Sequence, residues 1–149
     1  MAAPFDIHIQ IIPASKYRGM RFYSFGQRRT LGVRGLQKLV NMTAKYLLTP
    51  VGTDPLDPTY GTELPNIFGS NVDLRDAHDV ILLSVDKAAQ AIRGFQSSLD
   101  VPDDERLATA TVNAVILIEA GPGIAAQIRI ENVARQGMGL LLPTLTTRM

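Results

Sequence analysis

Two histidines, no cysteine and a thin scatter of acids set the range of chemistry open to this chain. Without cysteine there is no disulfide and no thiolate nucleophile. His8 and His78 stand far apart. No His-x-x-His, Glu-x-x-His or cysteine pair supplies the ligand spacing of a zinc or iron site. Glycoside hydrolysis needs two carboxyl groups facing one sugar, one of them with a raised pKa. The candidates are Glu63 with Asp54 and Asp57 before it, the run Asp103-Asp104-Glu105, and Glu119 and Glu131 on strand-like segments. No two of these are paired by spacing, and Asp57 reads as a turn cap acting through its side chain. Gly121, Gly123, Gly137 and Gly139 read as turn glycines. No glycine-rich loop leads from a strand into a helix with Lys or Ser where a phosphate site needs it. Ser-His-Asp catalysis has no nucleophile elbow. His78 flanks the apolar stripe of a helix and reads as structural, with Asp79 toward solvent. The expectation is no catalytic residue, no cofactor and no metal.

Residues with no catalytic pattern must be positioned for another purpose, and composition narrows it. The chain has 149 residues, 46% of them apolar, enough for one domain with a core of its own. Net charge is +1, so charge balance suggests neither nucleic acid nor an anionic membrane as partner. No apolar run is long enough to span a bilayer. The start, MAAPFDIHIQ, lacks the basic and apolar regions of a signal peptide.

Residues 1–30 differ from the rest and are expected to form an extended N-terminal arm. Phe5, Ile7, Ile9 and Ile11 alternate with polar residues as in a half-buried strand, which Pro13 ends. A second extended piece is expected over Arg21 to Phe25. Lys16, Arg18, Arg21, Arg28, Arg29 and Arg34 interleave with Tyr17, Phe22, Tyr23 and Phe25. Arg and Tyr are favoured at protein interfaces, and the same pair suits single-stranded nucleic acid. An ordinary strand pair with solvated arginines is the plain alternative, and the near-neutral total charge favours a protein partner. Tyr17, Arg21 and Tyr23 are therefore candidate partner contacts.

Residues 31–149 read as an α+β domain: two main helices on a mainly antiparallel sheet of three to four strands. Leu36, Leu39, Val40, Thr43, Tyr46 and Leu47 predict the first helix. Leu74, Ala77, Ile81, Leu82, Val85, Ala88, Ala89, Ile92 and Phe95 predict a longer second one. It is capped by Asp73, with Asp76 in its first turn and Gly94 near its end. Leu107 to Ile118 and Ile124 to Val133 predict strands joined by Ala120-Gly121-Pro122-Gly123 as an antiparallel hairpin. Met138 to Leu145 predicts a third strand, with Pro143 at an edge.

Between the helices lies Leu47 to Leu64, LLTPVGTDPLDPTYGTEL. Thr49-Pro50 stops the helix. Gly52 can take a left-handed conformation. The Asp-Pro steps favour turns, and Tyr60-Gly61 closes the segment. Its prolines lower the entropy lost on ordering, so a pre-shaped loop is expected, suited to a specific contact. Pro55, Asp57, Pro58, Tyr60 and Gly61 are its candidate contact residues.

This segment resembles the small baseplate wedge proteins of contractile phage tails, the gene-product-25-like and GPW-like family historically labelled lysozyme-like. The matching residues are Leu48, Thr49, Pro50, Gly52, Pro55, Asp57, Pro58, Tyr60, Gly61 and Leu64, and the order of elements matches from about Leu31 to Pro143. The resemblance implies a non-enzymatic subunit in the tail baseplate of the virion, assembled in the host cytoplasm. It implies contacts with other wedge proteins, with tube-proximal hub proteins and with the tail sheath. In that family sheath assembly can begin by strand exchange between like domains. Here Ile124 to Val133 and Met138 to Leu142 are expected to offer an exposed strand, with Ile128, Ile130 and Leu140 as contact residues. Only Arg129 and Arg135 are basic from Ile124 to Leu145, so the strand lacks lysine gatekeepers. One departure stands out. The family often carries Glu-Pro-Arg after the second helix, used toward the wedge core, and here Pro102-Asp103-Asp104-Glu105-Arg106 occupies that region. Two other classes compete with this reading: a cell-wall muramidase, and an anti-adaptor-like regulatory binding module that shares the fold.

Overall fold

The structure is a computed structural model and describes residues 34–67, 73–118, 123–142 and 145–146. The expected strand at Phe5 to Ile11, the extended piece at Arg21 to Phe25, the hairpin turn at Ala120 to Pro122 and Pro143 lie outside these residues.

Helix α1 spans Gly35–Leu48 and buries Leu39, Val40, Thr43, Ala44, Tyr46 and Leu47 along one stripe. Thr43 lies within the stripe because its hydroxyl donates to the Leu39 carbonyl one turn back (2.9 Å). Thr49 then turns extended (φ −92°, ψ 121°) ahead of Pro50, and the helix stops where proline requires it.

Helix α2 spans Leu74–Ser97, and Ala77, Ile81, Val85, Ala88, Ala89 and Ile92 enter the core. Two members of the expected stripe are exposed, Leu82 and Phe95. Leu82 lies about 100° round the helix from Ile81, past the margin of the stripe. Phe95 has the right phase, but at the last turn the inward place goes to Gln96. Its Nε2 donates to the Glu105 carbonyl and its Oε1 accepts the Leu107 amide, both at 2.8 Å. Asp73 occupies the N-cap position, yet its side chain makes no cap bond, and its carbonyl accepts the Ala77 amide. Gly94 sits inside the helix.

The strands are β1 (Leu107–Ile118), β2 (Gly123–Asn132), β3 (Gly137–Leu141) and the short β4 (Leu145–Thr146). All pairings are antiparallel, in the order β1-β2-β3, with β4 also on β2. Gly123, Gly137 and Gly139, expected in turns, belong to strands, the first to β2 and the others to β3. Strands β3 and β4 line the same side of β2. Gln127 faces Leu141, whereas Ile124 faces Leu145, so the register slips by one residue between them. Strand β1 slips twice against β2, at Ala108 and at Asn113. Such bulges kink an edge strand and increase its twist.

Alternation gives the sheet two unlike faces. Ile124, Ala126, Ile128, Ile130, Leu140 and Leu142 are buried in the core with both helices, and Ala110, Val112 and Val115 pack against it. Thr109, Thr111, Ile116, Gln127, Arg129 and Leu141 are exposed on the opposite face. The fold is α+β, two helices on one side of an antiparallel sheet.

One expectation is corrected by this order. Ile124 to Val133 is not an exposed edge: β2 is the central strand, paired on both sides, and Ile128 and Ile130 are fully buried. An edge strand must be first or last in the order, and among the described residues those places belong to β1 and to β3 with β4.

Candidate interaction site

The segment between α1 and the 3-10 turn Leu64–Ile67 is built from its own side chains. The base closes first. Pro50 and Thr62 form a parallel bridge, the Val51 amide donates to the Thr62 carbonyl (3.1 Å), and the Thr62 amide donates to Thr49 (2.9 Å). The buried Thr62 hydroxyl donates to the Leu47 carbonyl (2.9 Å), tying the loop to the end of α1, where the Thr49 hydroxyl also donates to the Lys45 carbonyl (2.7 Å). Gly61 makes this closure possible. Its φ is +100°, and a Cβ there would run into the Thr49 carbonyl oxygen.

The tip is held by two aspartates. Asp54 Oδ1 accepts the Leu56 amide (2.9 Å), and Asp57 Oδ1 accepts both the Thr59 amide (3.0 Å) and the Thr59 hydroxyl (2.6 Å). Asp57 therefore caps a turn through its side chain, as its place before Pro58 predicts. The Thr59 hydroxyl, then the Thr59 amide, and more weakly the Tyr60 amide and the Lys87 charge, hold the Asp57 carboxyl below its ordinary range. Gly52, at φ +83°, donates its amide across the loop to the Pro58 carbonyl (3.0 Å).

Two tyrosines join the loop to the core. Tyr60 meets Tyr46 edge to face, with ring centroids 4.6 Å apart and planes at 64°. Burial pushes the Tyr46 phenol above its ordinary pKa, against a hydrogen bond from the Gly61 backbone, and the Asp57 charge adds to the rise. The loop residues thus divide into two rows. Tyr60 and Gly61 face inward and fix the shape. Pro55, Asp57 and Pro58 are exposed, and Leu56 stands between them 95% exposed. Leu56 was not among the residues picked from the sequence, although a lone leucine between Pro55 and Asp57 in a polar turn is a signal that could have found it.

A second candidate surface is the edge of the sheet. The Leu142 amide donates to Ala126 and the Asn132 amide to Gln136, so the even-numbered residues of β3 bond to β2. By alternation, the backbone groups of Gly137, Gly139 and Leu141 point away from β2, to an edge that no described residue pairs. Leu140 is buried and supports the strand from the core side, while Met138 and Leu141 are exposed beside it.

Beyond α2, Arg93, Gln96, Ser97, Leu99, Arg106 and Leu107 line a shallow open depression of about 310 Å³. None of the acids of the Asp-Asp-Glu-Arg run lines it. Glu105 accepts the Gly35 amide (3.1 Å) and pairs with Lys38 (2.6 Å), fastening the start of α1 to the strand entry. Arg106 donates to the Val101 carbonyl (2.9 Å). Asn132 completes this corner, its Nδ2 donating to the Asp104 carbonyl and to Gln136 Oε1, and its Oδ1 accepting the Gln136 amide.

The acids weighed for catalysis are engaged separately. Glu63 is exposed and accepts a bond from Asn66 (2.6 Å), while Asp54 and Asp57 serve the loop backbone. His78 and Asp79 are both exposed, 3.6 Å apart. Among the described residues no group of three His, Cys, Asp or Glu side chains is placed to hold a metal ion. Within the same residues no helix is long and apolar enough to cross a membrane. Tyr17, Arg21 and Tyr23 lie outside the described residues. No family model and no curated protein matches the chain.

Proposed function

We propose that this chain is a structural subunit of a contractile-tail baseplate wedge. It joins the inner wedge to the tail sheath, helps sheath assembly begin, and works without catalysis or cofactor. The observation that carries the reading is the self-ordered loop. Several residues of the resemblance hold its shape: Thr49 and Pro50 end α1, Gly52 and Gly61 make the reversals, Asp57 caps the turn, and Tyr60 anchors it on Tyr46. A loop already fixed in shape loses little entropy when a partner binds it. Its exposed row, Pro55, Asp57 and Pro58, meets another wedge protein, and the arm with Tyr17, Arg21 and Tyr23 meets wedge or tube-proximal hub proteins. The sheath adds by main-chain pairing on β3, the regular part of the open edge, rather than on the buried Ile128 and Ile130. The subunit is assembled in the host cytoplasm and resides in the virion, at the tail baseplate.

The reading is tested by deleting this gene in a cell that produces contractile particles. Tubes and baseplates lacking sheath, restored by the wild-type gene, are expected. Normally sheathed particles would overturn it, as would turnover of purified cell wall by the isolated protein that Glu63→Gln abolishes.

A further inference from the structure

Across the tip of the loop, Pro55 to Thr59, no hydrogen-bond donor is left over. Pro55 and Pro58 have no amide hydrogen. Asp54 Oδ1 accepts the Leu56 amide (2.9 Å) and, more loosely, the Asp57 amide (3.4 Å). Asp57 Oδ1 accepts both the amide and the hydroxyl of Thr59. Just before the tip, the Thr53 amide and hydroxyl both turn back to the Pro50 carbonyl (3.3 and 2.7 Å). Acceptors, by contrast, remain. The Pro55 and Leu56 carbonyls receive no bond from a described residue. Among the described residues no cation lies within ion-pair distance of Asp54 or Asp57. The Lys87 charge on α2 reaches Asp57, but it is the weakest of the influences on that carboxyl. Between the exposed Pro55 and Pro58 stands Leu56, almost wholly in solvent.

A tip that offers apolar surface and acceptors, with every donor spent inside the loop, selects the chemistry of its partner. A phosphate backbone or an acidic surface brings acceptors of its own and has no bond to make here. The partner must bring donors, and a guanidinium or ammonium group makes the strongest bonds to an exposed carboxylate. It must also bring a hollow, because a leucine gains from contact only when water is removed from it. We propose that Leu56 is the anchor of the loop's contact, and that it enters an apolar socket, rimmed by Arg or Lys, on another wedge protein. This rests on the reading of the chain as a wedge subunit. Asp57 and the Pro55 and Leu56 carbonyls meet the rim, while Tyr60 and Gly61 hold the loop from behind. Because the loop is folded before the partner arrives, little ordering is needed to seat the leucine.

The test uses the full chain in cells that produce contractile particles. Wild-type and Leu56 variant chains with different tags are expressed together, and their ratio in purified particles is measured. Leu56→Ala is expected to be under-represented about 10- to 100-fold, the effect of withdrawing one buried leucine, and Leu56→Asp more strongly. Leu56→Met keeps the size and apolar character of the side chain and should recover most of the loss. All three should melt with the wild type, because the side chain lies in solvent. A second arm places the photoreactive substitution Leu56→p-benzoylphenylalanine in the particles. It is expected to crosslink to a baseplate protein other than this chain, and changing the Arg or Lys nearest the crosslinked site to Glu should lower incorporation of the wild-type chain at least tenfold. Leu56→Asp incorporated on a par with the wild type, a probe that crosslinks only to copies of this chain or to nothing, or a crosslinked site indifferent to the charge reversal would each overturn the socket and leave the wedge reading in place. A wild-type chain absent from the particles would overturn both.

Discussion

Single residues decide whether the loop holds its shape. Gly61 combines a positive φ with a blocked Cβ position, whereas Gly52 has a positive φ in open space. Gly52→Ala should therefore cost about 1 kcal/mol for the backbone alone. Gly61→Ala should cost about 3 kcal/mol or more, because the base of the loop must also open. Urea denaturation of the two variants measures the difference. Asp57 gives the loop a pH dependence. Its folded pKa is depressed by bonds from Thr59, so its contribution is present above the ordinary carboxylate range and is lost as pH falls through the folded value. Melting temperature followed from pH 7 down to pH 3 should fall more gently for Asp57→Ala than for the wild type. Matching acid limbs would remove Asp57 from the loop's support. The proline and glycine positions of this loop were legible in sequence because each restricts the backbone in its own way. The inward turn of Tyr60 toward Tyr46 was not, since it depends on where α1 ends in space.

At the scale of elements, the two helices and the first two strands were legible almost to their ends, whereas the single strand expected over Met138 to Leu145 is divided into β3 and β4. The misplacements along the helices have a common origin. Apolar periodicity marks which residues can be buried, but it carries no record of which backbone groups need partners. Gln96 displaces Phe95 from the core because the entry into β1 leaves the Glu105 carbonyl and the Leu107 amide to be satisfied. Gln96→Leu should then cost about 2–4 kcal/mol by stranding both groups, despite being a polar-to-apolar change at a buried site. Asn41 is the contrasting case. It is buried on α1, its Oδ1 accepts from Gln37, and its Nδ2 has no partner among the described residues. Asn41→Leu should be neutral or stabilising by about 1 kcal/mol. Calorimetry on the pair tests the distinction. Equal losses in both variants would mean that shape, not hydrogen bonding, sets the cost at these positions.

Strand order belongs to the whole molecule, and the alternation along Ile124 to Val133 could not reveal it. A half-buried central strand and a half-buried edge strand have the same period, and only the neighbours differ. With β2 in the centre, a proline at Ile128 would break the core and reveal nothing about partners. Gly139 gives a cleaner variant. Its amide points away from β2, to an edge unpaired among the described residues, and a Cβ there finds only ordinary contact with Gln127. Gly139→Pro should keep the fold while removing one donor from the edge. Circular dichroism should match the wild type, and sheath attachment in complemented particles should drop at least tenfold. The twice-bulged β1 serves as the internal comparison, because bulges are a common way to blunt an edge. The central claim, a wedge subunit that seeds the sheath, is tested most directly by the structure of an assembled contractile particle containing this chain. The account predicts the chain in the baseplate, with a sheath strand hydrogen-bonded to Gly139 and Leu141 on the outer edge of β3. A sheath that touches this chain only through its helices or its N-terminal arm would contradict it.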